Sequence, residues 1–238
     1  MGQVNLTSIR AAFPCASSLV WTGAGRQRGR YSRAVTSEPS GMFEAMYAGA
    51  EAGGARPPWD YGAPRPQFVE WAEAHDLAGR GREALVVGCG YGADAELLAS
   101  LGYRTTAFDF APTAISGARR KHPASEVDYL VADVLDLPRE WQGRFDLVVE
   151  SLTVQSMPPE QHSVAARKIA ALVAPEGTLL VLATTREEHS EAKGPPWPLT
   201  RAELEVFANG DLVMRRLEKI EGGAWWRSEF SRGRERHA

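Results

Sequence analysis

From residue 84 onward, apolar and polar positions along the chain switch between two periods. Ala84, Leu85, Val86 and Val87 form an unbroken apolar run, the mark of a strand buried on both faces, and the turn Gly88-Cys89-Gly90-Tyr91-Gly92 follows. Helical spacing over 93–100 stops at Gly102. The rhythm then recurs. A strand over 103–108 ends at Asp109, a helix over 113–121 breaks at Pro123, and a strand over 127–132 ends at Asp133. A strand over 145–149 ends at Glu150, a helix over 160–173 carries Ala165, Ile169 and Leu172 on one face, and 177–183 is the most apolar strand. Strands alternating with helices in this way predict an α/β fold with a parallel sheet covered on both faces.

The flanks depart from this rhythm. Upstream, Phe43, Met46 and Tyr47 lie at helical spacing, a Gly/Pro-rich stretch runs over 53–66, and Phe68, Trp71, Ala72 and His75 mark one face of a second helix. Downstream, Thr200-Arg201-Ala202-Glu203 is a capping box that opens a short helix through Phe207. Two strand-like runs, 212–220 and 224–230, are separated only by Glu221-Gly222-Gly223. So short a link demands an antiparallel hairpin, because a parallel crossover needs a dozen residues or more.

Composition changes this picture in one place. The 238 residues are 44% apolar and carry a net charge of −3, ordinary for one globular domain. The average hides an asymmetry. Residues 1–37 hold five arginines and no acid, which leaves −8 on the remainder. Residues 1–41 show no lasting apolar period and are rich in Gly, Ser and Arg. Three readings of them stand: a disordered basic leader, with Met42 as the functional start; a transit segment; or an arm that touches a phosphate polymer. The simplest is the leader. Residues 42–82 then read as N-terminal helices with a covering lid, and 83–238 as the core. Two cysteines exclude a disulfide scaffold and a four-cysteine zinc site, and no metal site is expected. No apolar run is long enough to span a bilayer, and the acidic body argues against a nucleic-acid partner.

Candidate chemistry gathers at the strand ends. A glycine turn between a buried strand and a helix lets a ligand approach bare backbone and aims the helix N-terminus at its polar end. Asp109 lies 19 residues beyond Gly90, where a carboxylate can accept both hydroxyls of a ribose. Asp133, with the amide of Val134, can read the amino group and ring nitrogen of an adenine. Each feature has a plain alternative: a structural turn, a helix cap, or a polar strand end. Three successive strands ending in a glycine loop, Asp and Asp are far more specific than any one.

These residues resemble the class I S-adenosylmethionine-dependent methyltransferases. The likeness runs over about 42–232 and rests on Val87 to Gly92, Phe108-Asp109-Phe110-Ala111-Pro112, Ala132-Asp133-Val134, Phe145 to Glu150, and the turn Ala174-Pro175-Glu176-Gly177. Trp59-Asp60-Tyr61-Gly62-Ala63-Pro64-Arg65-Pro66 is similar to a narrower, thiopurine methyltransferase-like group of small-molecule enzymes. The resemblance implies a Rossmann-like three-layer sandwich whose mainly parallel, seven-stranded sheet ends in the antiparallel C-terminal hairpin. It implies S-adenosyl-L-methionine as cofactor, with S-adenosyl-L-homocysteine as product. Gly88, Cys89, Gly90 and Gly92 would pack on its methionine part and ribose, Asp109 on the ribose, Asp133 and Val134 at the adenine with Phe110 beside the ring, Glu150 and Ser151 near the sulfonium, and Trp59 over the cofactor. No Asp-Pro-Pro-Tyr or Asn-Pro-Pro-Tyr follows the fourth strand, which argues against methylation of exocyclic base nitrogens.

Methyl transfer from a sulfonium needs alignment and exclusion of water more than it needs a base. Gln155 and Ser156 are the polar candidates for a catalytic role, and Tyr61, Gln155 and Trp197 for the acceptor pocket. His162 reads as a surface histidine on a helix, His75 as a partly buried histidine beside Trp71, and His189 as a solvated loop residue. Of Trp225 and Trp226, at least one should pack on the sheet, since neighbours on a strand face opposite sides. The expected activity is methylation of a small molecule at oxygen, nitrogen or sulfur, by a cytoplasmic monomer or homodimer with no nucleic-acid or membrane partner. The competing readings are a nicotinamide-dependent oxidoreductase, which Ala93 and the acid spacing also allow, and a cofactor-binding protein without catalysis.

Overall fold

A computed structural model describes residues 38–191 and 193–234. The expected leader lies outside the described residues up to residue 37. Helix α1 (Glu38–Glu51) begins ahead of Met42.

Seven strands form one sheet: β1 (Glu83–Val87), β2 (Arg104–Asp109), β3 (Asp128–Val131), β4 (Phe145–Ser151), β5 (Val173–Thr184), β6 (Leu212–Ile220) and β7 (Trp225–Arg232). Their spatial order is β3-β2-β1-β4-β5-β7-β6. The first five are parallel, and β7 runs antiparallel between β5 and β6. The remaining helices are α2 (Pro66–Ala74), α3 (Ala93–Ser100), α4 (Pro112–Lys121), α5 (Pro159–Ala170) and α6 (Arg201–Glu205). The mainly parallel sheet with its terminal antiparallel hairpin is the one the hydrophobic pattern predicts.

This order positions the site. From β1 the chain builds outward through β2 and β3, then returns to lay β4 and β5 on the other side of β1. Where the order reverses, the loops after β1 and β4 part and leave a crevice at the carboxyl ends of the strands.

The core follows from the same alternation. Leu85, Val87, Val148, Leu179 and Val181 share a buried cluster with Ala165, Ala166 and Ile169 of α5, and with Leu204 and Phe207 at α6. Phe207 and Phe230 meet with ring centroids 5.9 Å apart. A separate cluster joins Tyr47 of α1 to Tyr91, Ala111 and Ala114 at α4. Both capping-box bonds form: Thr200 Oγ1 accepts from Glu203 N, and Glu203 Oε2 accepts from Thr200 N.

Two boundaries differ from expectation. Helix α5 stops at Ala170, and β5 begins at Val173 rather than 177. The turn Ala174-Pro175-Glu176-Gly177 lies inside the strand as an irregularity. Phe145 pairs with Val173 and Leu147 with Thr178, so extra residues are looped out at Glu176, whose φ is 61°.

Phe230 is fully buried between the hairpin and α6. Phe230→Ala should cost about 3–5 kcal/mol in denaturant unfolding, with the seven-stranded sheet retained by circular dichroism.

Candidate functional site

A cavity of about 700 Å³ occupies the crevice, in the range of ligand sites. Its floor is the β1 loop, one side is Asp109 and Phe110 after β2, and the next is Asp133 and Val134 after β3. Ser151 to Pro158 after β4 form the far wall. Phe43 and Tyr47 of α1, with Trp59 and Tyr61, form the roof.

The loop's shape is set by its glycines. Gly88 has φ 61°, and a Cβ there would sit 2.1 Å from Thr153 Oγ1. Gly90 has φ 53°, and a Cβ would meet Tyr47 Oη at 2.9 Å. The bare backbone expected to face a ligand is therefore also needed by the protein's own packing. Thr153 holds its place by donating from Oγ1 to Val87 O at 2.9 Å. Tyr47 Oη accepts from Trp59 Nε1 at 2.9 Å, which fixes the roof over the loop. Phe43 packs edge-on to both Trp59 and Phe110. The N-terminal segment is tied down further, as Thr113 donates from its amide and hydroxyl to the Glu44 carboxylate.

Asp109 is the hinge of the floor. Its Oδ2 accepts from Gly90 N at 2.9 Å and its Oδ1 from Ala111 N at 2.9 Å. Burial outweighs these amides and pushes its carboxyl up to about 6. Each oxygen keeps a lone pair for a further donor. Asp133 Oδ1 accepts from Leu135 N at 2.8 Å and turns the chain so that Asp133 and Val134 both line the cavity. Burial, with Asp109 beside it, pushes the Cys89 thiol up, so Cys89 is a neutral wall group and not a nucleophile.

The far wall brings Gln155 and Ser156 together but assigns them different capacities. Gln155 is buried, and its Oε1 accepts from Thr184 N at 2.7 Å and Thr184 Oγ1 at 3.2 Å. Among the described residues no acceptor meets its Nε2. Ser156 Oγ donates to Leu152 O at 2.7 Å, which leaves only its lone pairs for a ligand. Ser151 Oγ is buried in the wall without a partner among the described residues.

Three expectations need correction. Trp197 does not line the cavity. Its amide donates to Gln155 O at 2.5 Å, and the preceding Pro195 and Pro196 form the wall instead. Glu150 is not a lining residue either. It is fully buried behind the wall, where Oε1 accepts from Thr153 N at 2.7 Å and Val154 N at 3.0 Å, while Oε2 has no hydrogen-bond partner among the described residues. It shapes the wall and is not among the residues that line the cavity. His162 is no surface histidine. It is 4% exposed, with Nδ1 2.9 Å from Glu203 Oε1 and Nε2 2.9 Å from Met157 O, which lashes α5 to the capping box of α6.

The other histidines and aromatics lie where the spacing indicated. His75 keeps its expected place beside Trp71, 2.8 Å from Trp71 O and 3.3 Å from Glu229, but is exposed and not partly buried, and His189 is exposed. Trp226 packs in the core with Nε1 on Leu199 O at 2.9 Å, whereas Trp225 faces the cavity. Tyr61 lines the rim and is 57% exposed. Sequence reasoning passed over Arg65 and Thr184. Arg65 was hidden among the prolines of a loop, and Thr184 carried no signal.

Residues 85–181 match the family model described as a methyltransferase domain. The 2-heptyl-1-hydroxyquinolin-4(1H)-one methyltransferase of Mycobacteroides abscessus is 31% identical over 217 residues, covering 82% of this chain and 91% of that protein. The chain belongs to the class I S-adenosylmethionine-dependent methyltransferases.

Solved structures agree. One, from work on the conversion of a disulfide bond into a thioacetal group during echinomycin biosynthesis, is 26% identical with a TM-score of 0.67, covering 83% of this chain and 93% of its own. The N-methyltransferase NodS of Bradyrhizobium japonicum WM9 in complex with S-adenosyl-l-homocysteine shares the fold at 19% identity and a TM-score of 0.60, covering 82% and 99%. The nicotinamide-dependent reading is thereby set aside. The residues present suit the methyltransferase cofactor. The cavity offers a buried carboxylate with free lone pairs, an unpartnered buried hydroxyl at Ser151 and an aromatic roof over a glycine cradle.

Burial pushes Glu150 up to about 7, against its two amide donors. A glutamate titrates near 4.3 in an unfolded chain. The stability tied to its protonated form is therefore complete below that value and is lost as pH rises through about 7. Glu150→Gln should flatten this loss, on the order of 2–3 kcal/mol between pH 4 and 8, in urea melts across that range.

Proposed function

We propose that this methyltransferase transfers a methyl group to an oxygen of a flat, largely apolar small molecule, such as a hydroxylated aromatic heterocycle. The carrying observation is one continuous cavity whose floor is the glycine loop with Asp109 and whose roof is aromatic: Phe43, Trp59, Tyr61 and Trp225. The Mycobacteroides abscessus relative, named for a hydroxyquinolinone, supports the acceptor class. We place the activity in the cytoplasm, with the enzyme a monomer or homodimer.

S-adenosylmethionine supplies a methyl group already activated by its sulfonium. The chain's own residues bind, orient and exclude water. Asp109 accepts the ribose hydroxyls, and Asp133 with the Val134 amide takes the adenine edge beside Phe110. Gly88 to Gly92 pack against the sulfonium side, where the Ser151 hydroxyl also lies. Gln155 Nε2 and the Ser156 lone pairs hold the acceptor's hydroxyl in line, while the aromatic roof keeps the site dry. The bound cofactor would supply the methyl and keep the sulfur's electron pair as thioether, while Gln155 Nε2 and Ser156 Oγ would hold the acceptor oxygen in line, with Ser156 Oγ accepting from its hydroxyl. Alignment and water exclusion carry the rate.

Incubation with S-adenosylmethionine and 2-heptyl-1-hydroxyquinolin-4(1H)-one, or a panel of hydroxylated aromatics, should yield methylated product and S-adenosylhomocysteine by mass spectrometry. If the cofactor binds but no acceptor of this class is methylated, the acceptor assignment falls. Asp109 should also give cofactor binding a pH dependence. The ionised carboxylate is the acceptor for ribose, so S-adenosylhomocysteine affinity should fall up to tenfold per unit as pH drops below about 6. Asp109→Asn should bind about 10- to 100-fold more weakly, without that slope.

A further inference from the structure

Gln155 is fixed in a way that leaves one end of its carboxamide to a ligand. It is 2% exposed and lines the cavity. Its Oε1 accepts from Thr184 N at 2.7 Å and from Thr184 Oγ1 at 3.2 Å. A backbone amide only donates, so the atom beside it is the carboxamide oxygen, and the orientation of the group is settled. The backbone is pinned as well, since Gln155 O accepts from Trp197 N at 2.5 Å. What remains is Nε2. Among the described residues it meets no acceptor, and it is not sealed in protein, so its N–H groups open on the cavity.

Two neighbouring groups are of the opposite kind. Ser156 Oγ spends its proton on Leu152 O at 2.7 Å, and Thr184 Oγ1 spends its own on Gln155 Oε1. Both residues line the cavity, and both hydroxyls offer a ligand lone pairs only. The wall therefore sets a fixed N–H donor beside hydroxyl acceptors.

Such a donor discriminates, because leaving it unpaired away from water costs more than its bond returns. A hydroxyl nucleophile has one proton and two lone pairs. Its proton goes to Ser156, one lone pair accepts from Gln155, and the other stays free to bond the methyl carbon. Sulfur keeps the electron pair of the bond that breaks, and the hydroxyl proton ends in solvent. A primary amine has two protons and a single lone pair. Its nitrogen either accepts from Gln155 or bonds the methyl carbon, and cannot do both. We infer that Gln155 is the specificity-determining residue that selects an oxygen nucleophile over a nitrogen one, through the N–H it presents to the acceptor. The inference rests on the methyl-transfer reading and gives a reason for the reacting atom.

The compound 5-amino-1-naphthol carries both nucleophiles on one flat frame and tests the choice on the full-length protein with S-adenosylmethionine. Wild type should give the O-methyl product, with the N-methyl isomer, resolved by chromatography, at about a tenth of it or less. Gln155→Leu keeps the bulk and removes the donor. Gln155→Glu keeps oxygen on Thr184 and replaces the donor with an acceptor. Both should lower the ratio of O- to N-methyl product about 10- to 100-fold. A titration without turnover accompanies this one. In protein saturated with S-adenosylhomocysteine, Gln155→Leu should bind 1-naphthol about tenfold more weakly and 1-methylnaphthalene, similar in shape but without a polar group, as wild type does. Equal affinity for S-adenosylhomocysteine and 1-methylnaphthalene shows that the variant is folded, and where a variant yields too little product to compare, the 1-naphthol titration decides. A wild type that methylates nitrogen as fast as oxygen, or variants that leave the product ratio or 1-naphthol affinity at the wild-type value, would overturn the inference alone. A wild type that binds S-adenosylhomocysteine but methylates no hydroxylated aromatic would overturn the acceptor reading and the inference with it.

Discussion

The site is organised by the carboxylate of Asp109 at the end of β2, gripped by the amides of Gly90 and Ala111. This grip joins the β1 loop to the start of α4 and holds the loop in a left-handed course that only glycine takes without strain. The surroundings close on it: Thr153 against Gly88, and Tyr47 against Gly90, with Trp59 bonded to the Tyr47 hydroxyl. An acid desolvated in this way is costly, and its raised titration shows the cost. A fold keeps such a group where its remaining lone pairs have work to do.

Around that grip, the protein separates polar duties by depth. Glu150 and His162 lie behind the far wall and hold the backbone of residues 153–157 in place. Gln155, Ser156 and Ser151 then stand at the cavity surface on a rigid support. This suits a reaction in which geometry matters more than proton transfer, since positioning groups need firm backing and no base is obligatory.

Much of this was legible along the chain, and the reasons are specific. The first four parallel strands announce themselves because their runs end in a Gly turn, Asp109, Asp133 and Glu150 at the same end of the sheet, and the fifth because 177–183 is the most apolar run. The hairpin is legible because Glu221-Gly222-Gly223 is too short for a crossover. The start of β5 was not, because Val173 joins the sheet before a turn that resembles a strand boundary, and pairing across an irregularity leaves no periodic trace. His162 was misread because its partners, Glu203 and Met157 O, are brought to it by tertiary folding from different parts of the chain. Trp197 was misread for a related reason. A Pro-Pro-Trp-Pro run shows that a loop is stiff and apolar, but which member faces inward depends on the bond from the Trp197 amide to Gln155 O. The burial of Arg65 was not legible although the residue lies in the Trp59–Pro66 stretch, since an arginine between prolines is ordinary on a surface and unusual only once buried.

The central claim is that this crevice is the cofactor and acceptor site of a methyltransferase, with Asp109 as its anchor. The most direct test is a crystal structure of the protein grown with S-adenosylhomocysteine. The account predicts the ribose hydroxyls on the Asp109 carboxylate, the adenine against Asp133, Val134 and Phe110, and the thioether facing Gln155 and Ser156 beneath Trp59. Density for the nucleoside elsewhere on the molecule, or in this crevice with its ribose away from Asp109, would contradict it.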